Sequence, residues 1–143
     1  MTIKARRNGV IATRTFRLRP RGKRVKVSVG VPEPDPMSEH GDWRCPYQVF
    51  GLGARRVHYA YGIDAFQSLL LALVGIRGHL EPQRSQLEWD GGSLADAFPR
   101  LVPSHLGLAF SRRIERLIDR EVGVLCRKLE RNARKGSRAR SGT

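Results

Sequence analysis

Near Gly62 the hydrophobic period of the chain changes from two to about 3.6, and this switch constrains the fold more than any other feature. Upstream, apolar residues alternate. In "KRVKVSVGV" (23–31) Val25, Val27, Val29 and Val31 alternate with Arg24, Lys26 and Ser28. In "VIATRTFRL" (10–18) Val10, Ala12, Phe16 and Leu18 share one face, Thr13, Thr15 and Arg17 share the other, and Arg14 interrupts the pattern. "RPRG" (19–22) supplies a turn, so the two runs predict a hairpin with one oily face and one basic face.

The loop "PEPDPMSEHGD" (32–42) is proline-rich and reads as exposed. A third strand follows in "DWRCPYQVFGLG" (42–53), with Trp43, Cys45, Tyr47 and Val49 pointing one way and Arg44, Pro46, Gln48 and Phe50 the other. Pro46 lacks an amide donor, which predicts an edge position or a bulge. "GLGA" reads as a hairpin loop, and "RRVHYAYG" (55–62) as a fourth strand with Val57, Tyr59 and Tyr61 on one side.

Downstream of the switch, Asp64 is placed to N-cap a helix and Gln67 to complete a capping box. That helix runs to Leu80, is apolar nearly all round, and is expected to be buried between the sheet and a second helix. "QLEWD" (86–90) predicts a short fifth strand. Ser104 is the expected N-cap of a long last helix, whose apolar stripe runs from Leu106 through Phe110, Ile114, Leu117, Ile118, Val122 and Leu125 to Leu129, with Glu121 its one polar intrusion. Its outer face carries Arg112, Arg113, Arg116, Arg120, Arg127 and Arg131. The order β-β-β-β-α-β-α predicts a two-layer α+β domain, a mainly antiparallel sheet with two helices on one face. The domain is expected over 10–131, between a disordered basic N-terminus (1–9) and a disordered basic tail (132–143).

Two motifs, "DWRCPYQVFGLG…RRVHYAYGIDAFQSLLLAL" and "FSRRIERLIDRE", are similar to those of a family of small uncharacterised bacterial proteins, a domain of unknown function. That family pairs a W-x-C-P-Y-like strand with a Y-G-x-D-x-x-Q-like helix start and ends in an Arg-rich helix. The resemblance spans roughly 10–131; it implies this topology and a cytoplasmic bacterial protein, and no activity or site residue.

Charge carries the rest of the functional reading. The formal net charge is +14. Residues 1–30 hold ten basic and no acidic side chains, 31–110 six and nine, and 111–143 eleven and four. Basic ends around a slightly acidic middle point to an anionic partner; equally, arginine-rich composition and solubility account for the same numbers. Arginine exceeds lysine 22 to 5, and guanidinium forks suit phosphate oxygens. The candidate anion-binding residues are Arg17, Arg24 and Lys26 on the first hairpin and Arg112, Arg113, Arg116 and Arg120 on the last helix. The expected partner is nucleic acid bound without sequence preference; the alternative is an acidic protein docked by an interaction module such as an immunity or accessory factor.

Evidence for an enzyme is thin. His40, His58, His79 and His105 have no metal-ligand spacing, so no metal or cofactor is expected. Asp42, Asp64, Glu88 and Asp90 are not brought together by any pattern, and Ser104 and Ser111 lack a nucleophile-elbow context. "GLGARR" has the glycines of a phosphate loop without a following helix, so a plain turn is the better reading. Cys45 could act as a nucleophile only with His58 beside it. Trp43, Tyr47, Tyr59 and Tyr61 could form a base-stacking platform, but are expected to be core beneath the apolar helix. The longest apolar run, "LLLALVGI" (69–76), falls far short of the roughly 20 residues a bilayer requires. No signal peptide is expected, and two cysteines without a paired motif fit a reducing cytoplasm.

Overall fold

The computed structural model describes residues 9–53, 55–98, 100–101 and 106–140. The chain divides into two compact units, Met1–Arg100 and Leu101–Thr143. This division falls inside the 10–131 span expected to form one domain. Residues 1–8 and Ser104, the expected N-cap, lie outside the described residues.

In the first unit, strands β1 (Val10–Leu18), β2 (Lys23–Gly30), β3 (Glu33–Pro34), β4 (Trp43–Phe50), β5 (His58–Gly62) and β6 (Leu87–Glu88) form one antiparallel sheet. The predicted hairpin is present: β1 pairs with β2 from Val10↔Gly30 to Leu18↔Lys23, with a bulge between Val10 and Ala12. At its far edge β1 meets β6 at Arg17↔Glu88 and Leu18↔Leu87. β4 lies between β5 on one edge and β2 followed by β3 on the other. It is therefore an interior strand, not an edge. Pro46 is tolerated because the ladder along β4 breaks between Tyr47↔Val29 and Arg44↔Glu33, so its missing donor falls in the gap.

Helix α1 (Ala65–Leu80) starts as its capping residues dictate. Asp64 Oδ1 accepts the Gln67 amide at 2.7 Å, and Gln67 Oε1 accepts the Ile63 amide at 2.8 Å. The helix packs on β4, β5 and β2. Ala72, Ile76 and Leu80 meet Phe16, Val25, Val27, Val29, Cys45 and Tyr47 from the sheet, with Leu87, Leu94 and Ala97 completing the core. Two glycines permit this close approach. A Cβ on Gly75 would lie 2.5 Å from the Tyr47 hydroxyl, and one on Gly62 would lie 2.5 Å from the Ser68 amide nitrogen.

Burial on α1 departs from the all-round burial that its composition predicts. Ser68, Ala72, Ile76 and Leu80 are buried, whereas Ile63 just before the helix and Phe66, Leu70, Leu71 and Val74 on it are exposed, Phe66 at 80%. Apolar composition registers how much oil a helix carries, not how much of it finds a partner. After a 3-10 turn (Glu81–Gln83), β6 leads to α2 (Leu94–Ala97), a four-residue helix capped by Ser93 and Asp96 that no periodicity announces.

The second unit contains α3 (Leu108–Arg140), 33 residues and so about 50 Å long. It opens after Gly107, whose carbonyl accepts the Ser111 amide at 3.1 Å. It continues past Arg131, where a disordered tail was expected to begin: Ala, Arg and Lys are strong helix formers, and Gly136 alone does not end it. A mainly antiparallel sheet with helices makes the chain α+β, as its pattern predicts.

Candidate functional site

The β1–β2 hairpin places Arg17 directly opposite Arg24 and Lys26 opposite Thr15, all on the face away from α1. Charge alternation with Phe16, Val25 and Val27 puts them there, since neighbouring residues on a strand point to opposite faces. Arg17 and Arg24 line a depression of about 310 Å³ with Glu88 and Asp90, so this basic pair faces two carboxylates.

On α3 the four predicted arginines are exposed. At 100° per residue, Arg112, Arg113, Arg116 and Arg120 fall with Arg127, Arg131 and Arg134 inside an arc of about 100°. The sequence allows Glu115 and Asp119 to neutralise them. Among the described residues of α3, however, the one ion pair is Arg120 with Glu121, at 3.9 Å. Opposite the arginines, Ile118, Val122, Leu125 and Leu129 are exposed.

The aromatic strand pair divides. Tyr47 is buried and Trp43 partly buried on the helix side, as expected of core. Tyr59 and Tyr61 are instead exposed on the other face, because β5 aligns His58 with Tyr47 and Ala60 with Cys45. The expectation that all four aromatics share the core fails on this register. Arg44 stacks over Tyr59, 4.5 Å from the ring centroid, while its Nη2 and Nε hold Glu33 at 2.7 and 2.8 Å. The hydrogen bond to Glu33 raises the Arg44 pKa further. Gln48 lies on the face away from α1 as predicted, yet is only 1% exposed, opposite Ser28, which is also buried.

Cys45 and His58 do share the helix-facing side, but Cys45 is buried and held as the thiol. Its thiol donates to the Gly30 carbonyl at 3.5 Å, and burial pushes its pKa up to about 11. His58 stacks instead on Tyr47 (centroids 5.3 Å apart) and meets His79 of α1 at 4.3 Å. Burial first, then His79 and Arg56, holds His58 below the ordinary imidazole range. Sequence spacing gave no sign of this histidine pair, since its members lie 21 positions apart, one on β5 and one near the end of α1.

Arg14, which breaks the β1 alternation, is held on the apolar side. Its guanidinium lies 4.2 Å from the Trp89 ring centroid and 5.3 Å from that of Phe98, and it donates to the Ala97 carbonyl. Among the described residues no cluster of three or more His, Cys, Asp or Glu could hold a metal ion. No helix among them is long and apolar enough to cross a membrane.

An antiparallel sheet with one helix seated on its valine and aromatic face thus defines an α+β domain built for packing, with its charge at the periphery. The chain belongs to the family described as Domain of unknown function (DUF6968), whose model matches residues 12–100. The match covers the sheet, α1 and α2 and stops short of α3. No curated protein and no solved structure matches the chain.

Proposed function

We propose that this chain is a non-enzymatic binding protein that holds nucleic acid, or another polyanion, without sequence preference. The observation that carries this reading is the arginine face of α3. Seven arginines from Arg112 to Arg134 occupy one arc over about 33 Å, close to one turn of duplex DNA, with one ion pair among them. Guanidinium forks bind phosphate oxygens in pairs, and each phosphate neutralised releases counterions, so affinity falls steeply with salt. The hairpin residues Arg17, Arg24 and Lys26 contribute less, because Glu88 and Asp90 share the depression that Arg17 and Arg24 line. The same reading places the protein in a bacterial cytoplasm, which the free thiols of Cys45 and Cys126 support.

Fluorescence anisotropy of labelled single- and double-stranded DNA and RNA, titrated with the full chain across a salt series, tests the proposal. Replacing Arg112, Arg113, Arg116 and Arg120 with Gln reduces the slope of log K against log salt by about 3 to 4 on duplex DNA. The equivalent change at Arg17, Arg24 and Lys26 has a smaller effect. Binding indifferent to the α3 arginines overturns the proposal.

The exposed apolar face of α1, with Ile63, Phe66, Leu70 and Val74, favours a second reading. Here the chain is a protein-interaction module docking on an acidic partner that also offers an apolar surface. A stoichiometric complex that survives high salt and is lost on Phe66→Ser supports it over polyanion binding.

A further inference from the structure

We infer that the cavity lined by Gly53 and Arg56, by β5 and by the last turn of α1 is a binding site for a small oxyanion, such as inorganic phosphate, sulfate or the terminal group of a phosphomonoester. Its volume is about 160 Å³, and its walls are Val49, Leu52, Gly53, Arg56, His58 and His79. This is the size of a single oxyanion group, not of a nucleotide or a drug-sized ligand.

The chemistry of the wall selects the ligand. Arg56 offers a permanent charge and a fork of donors. His58 and His79 sit ring against ring, 4.3 Å apart, and both are within 6 Å of the Tyr47 ring centroid. Among the described residues no acidic side chain lines the cavity. The groups that bear on His58 are His79 from α1 and Arg56 from the loop, both of which lower its pKa, together with the Tyr47 ring from β4. Two imidazoles and a guanidinium gathered without a carboxylate repel one another once protonated, and an anion relieves that repulsion. A divalent cation fits worse, because two imidazoles beside a guanidinium supply too few ligands and one opposing charge. Gly53 and Arg56 belong to the "GLGARR" segment, which no helix follows; the other positive groups at the cavity come from His58 of β5 and His79 of α1.

Linkage follows. An oxyanion that favours imidazolium raises the affinity of His58 for protons, and protons raise the affinity for the oxyanion by the same factor. Binding therefore strengthens as pH falls through the imidazole range. No covalent step is involved; the proton comes from solvent.

The test uses sulfate, whose charge is constant over the imidazole range, and follows the His58 and His79 ring resonances of the full chain by ¹H–¹³C NMR. Sulfate shifts both saturably, with His40 unmoved, and the affinity drops on the order of tenfold between about pH 5.5 and about pH 8. Arg56→Gln and His79→Gln, both at exposed positions, abolish the saturable shift and leave the spectrum otherwise folded. Inorganic phosphate competes with sulfate at one site. Shifts that fail to saturate, that appear equally at His40, or that persist in Arg56→Gln overturn the inference. Because the readout sits on His58 and His79, loss of polyanion binding by α3 leaves it intact.

Discussion

The sheet unit and α3 carry hydrophobic patterns of equal clarity, and the two patterns end in different states. In the sheet, period-two residues such as Phe16, Val25 and Cys45 are removed from water almost completely. On α3 the stripe is as regular, yet Leu125 and Leu129 remain 55% and 58% exposed. Periodicity states which face an element would bury, not how far that face is buried. α3 is rich in strong helix formers along its length, and the sheet is held by mutual burial. The family match, confined to 12–100, follows the same division.

That contrast can be broken most directly at Phe16. Phe16→Ala empties a position enclosed by β2, Phe98 and the helix side, and denaturant unfolding is expected to lose about 3–5 kcal/mol. A loss below about 1 kcal/mol would show that the sheet is no better packed than α3.

The two cysteines sharpen the comparison. Burial raises Cys45 from 9.0 to about 11, so the folded state holds its proton more tightly than the unfolded state. Its stabilising effect is present below pH 9 and is lost as pH rises towards 11, on the order of 2 kcal/mol in all. Cys45→Ala should flatten stability over that window. At neutral pH a thiol reagent labels exposed Cys126 at once and Cys45 only as the sheet opens.

Gly75→Ala tests how close the helix lies to the sheet. The added methyl collides with the Tyr47 hydroxyl, and unfolding measurements should show a loss of about 1–2 kcal/mol. Adding Tyr47→Phe returns only part of this, because the ring carbon Cζ would still lie 2.8 Å from the methyl. Smallest of all is Leu125→Ala on α3, which should change the unfolding of the sheet by less than about 0.5 kcal/mol. A larger effect would mean that the stripe is covered in solution.

The legible parts were those that local chemistry decides. Alternating valines gave the hairpin, and Asp64 with Gln67 gave the start of α1 to within a residue or two. The rest depends on register or on tertiary approach. A single-residue choice of alignment turns Tyr59 and Tyr61 outward and His58 inward, and nothing in "RRVHYAYG" fixes it. Pro46 predicts an edge or a bulge, whereas it lies in an interior strand, in the gap left between the β2 and β3 pairings, and nothing local fixes where β3 resumes pairing. The seven basic candidates were legible as charge. The His58–His79 pair was not, because it forms only where the end of α1 reaches β5.

One consequence lies at the open side of β1. Among the described residues this nine-residue strand meets β6 only at Arg17 and Leu18, so most of its outer rim carries backbone groups available to another strand. A second copy joining that rim would bring the guanidinium groups of both chains along one seam, and the bulge between Val10 and Ala12 bends the rim out of line. Repulsion between those guanidinium groups would oppose fibre-like stacking of copies.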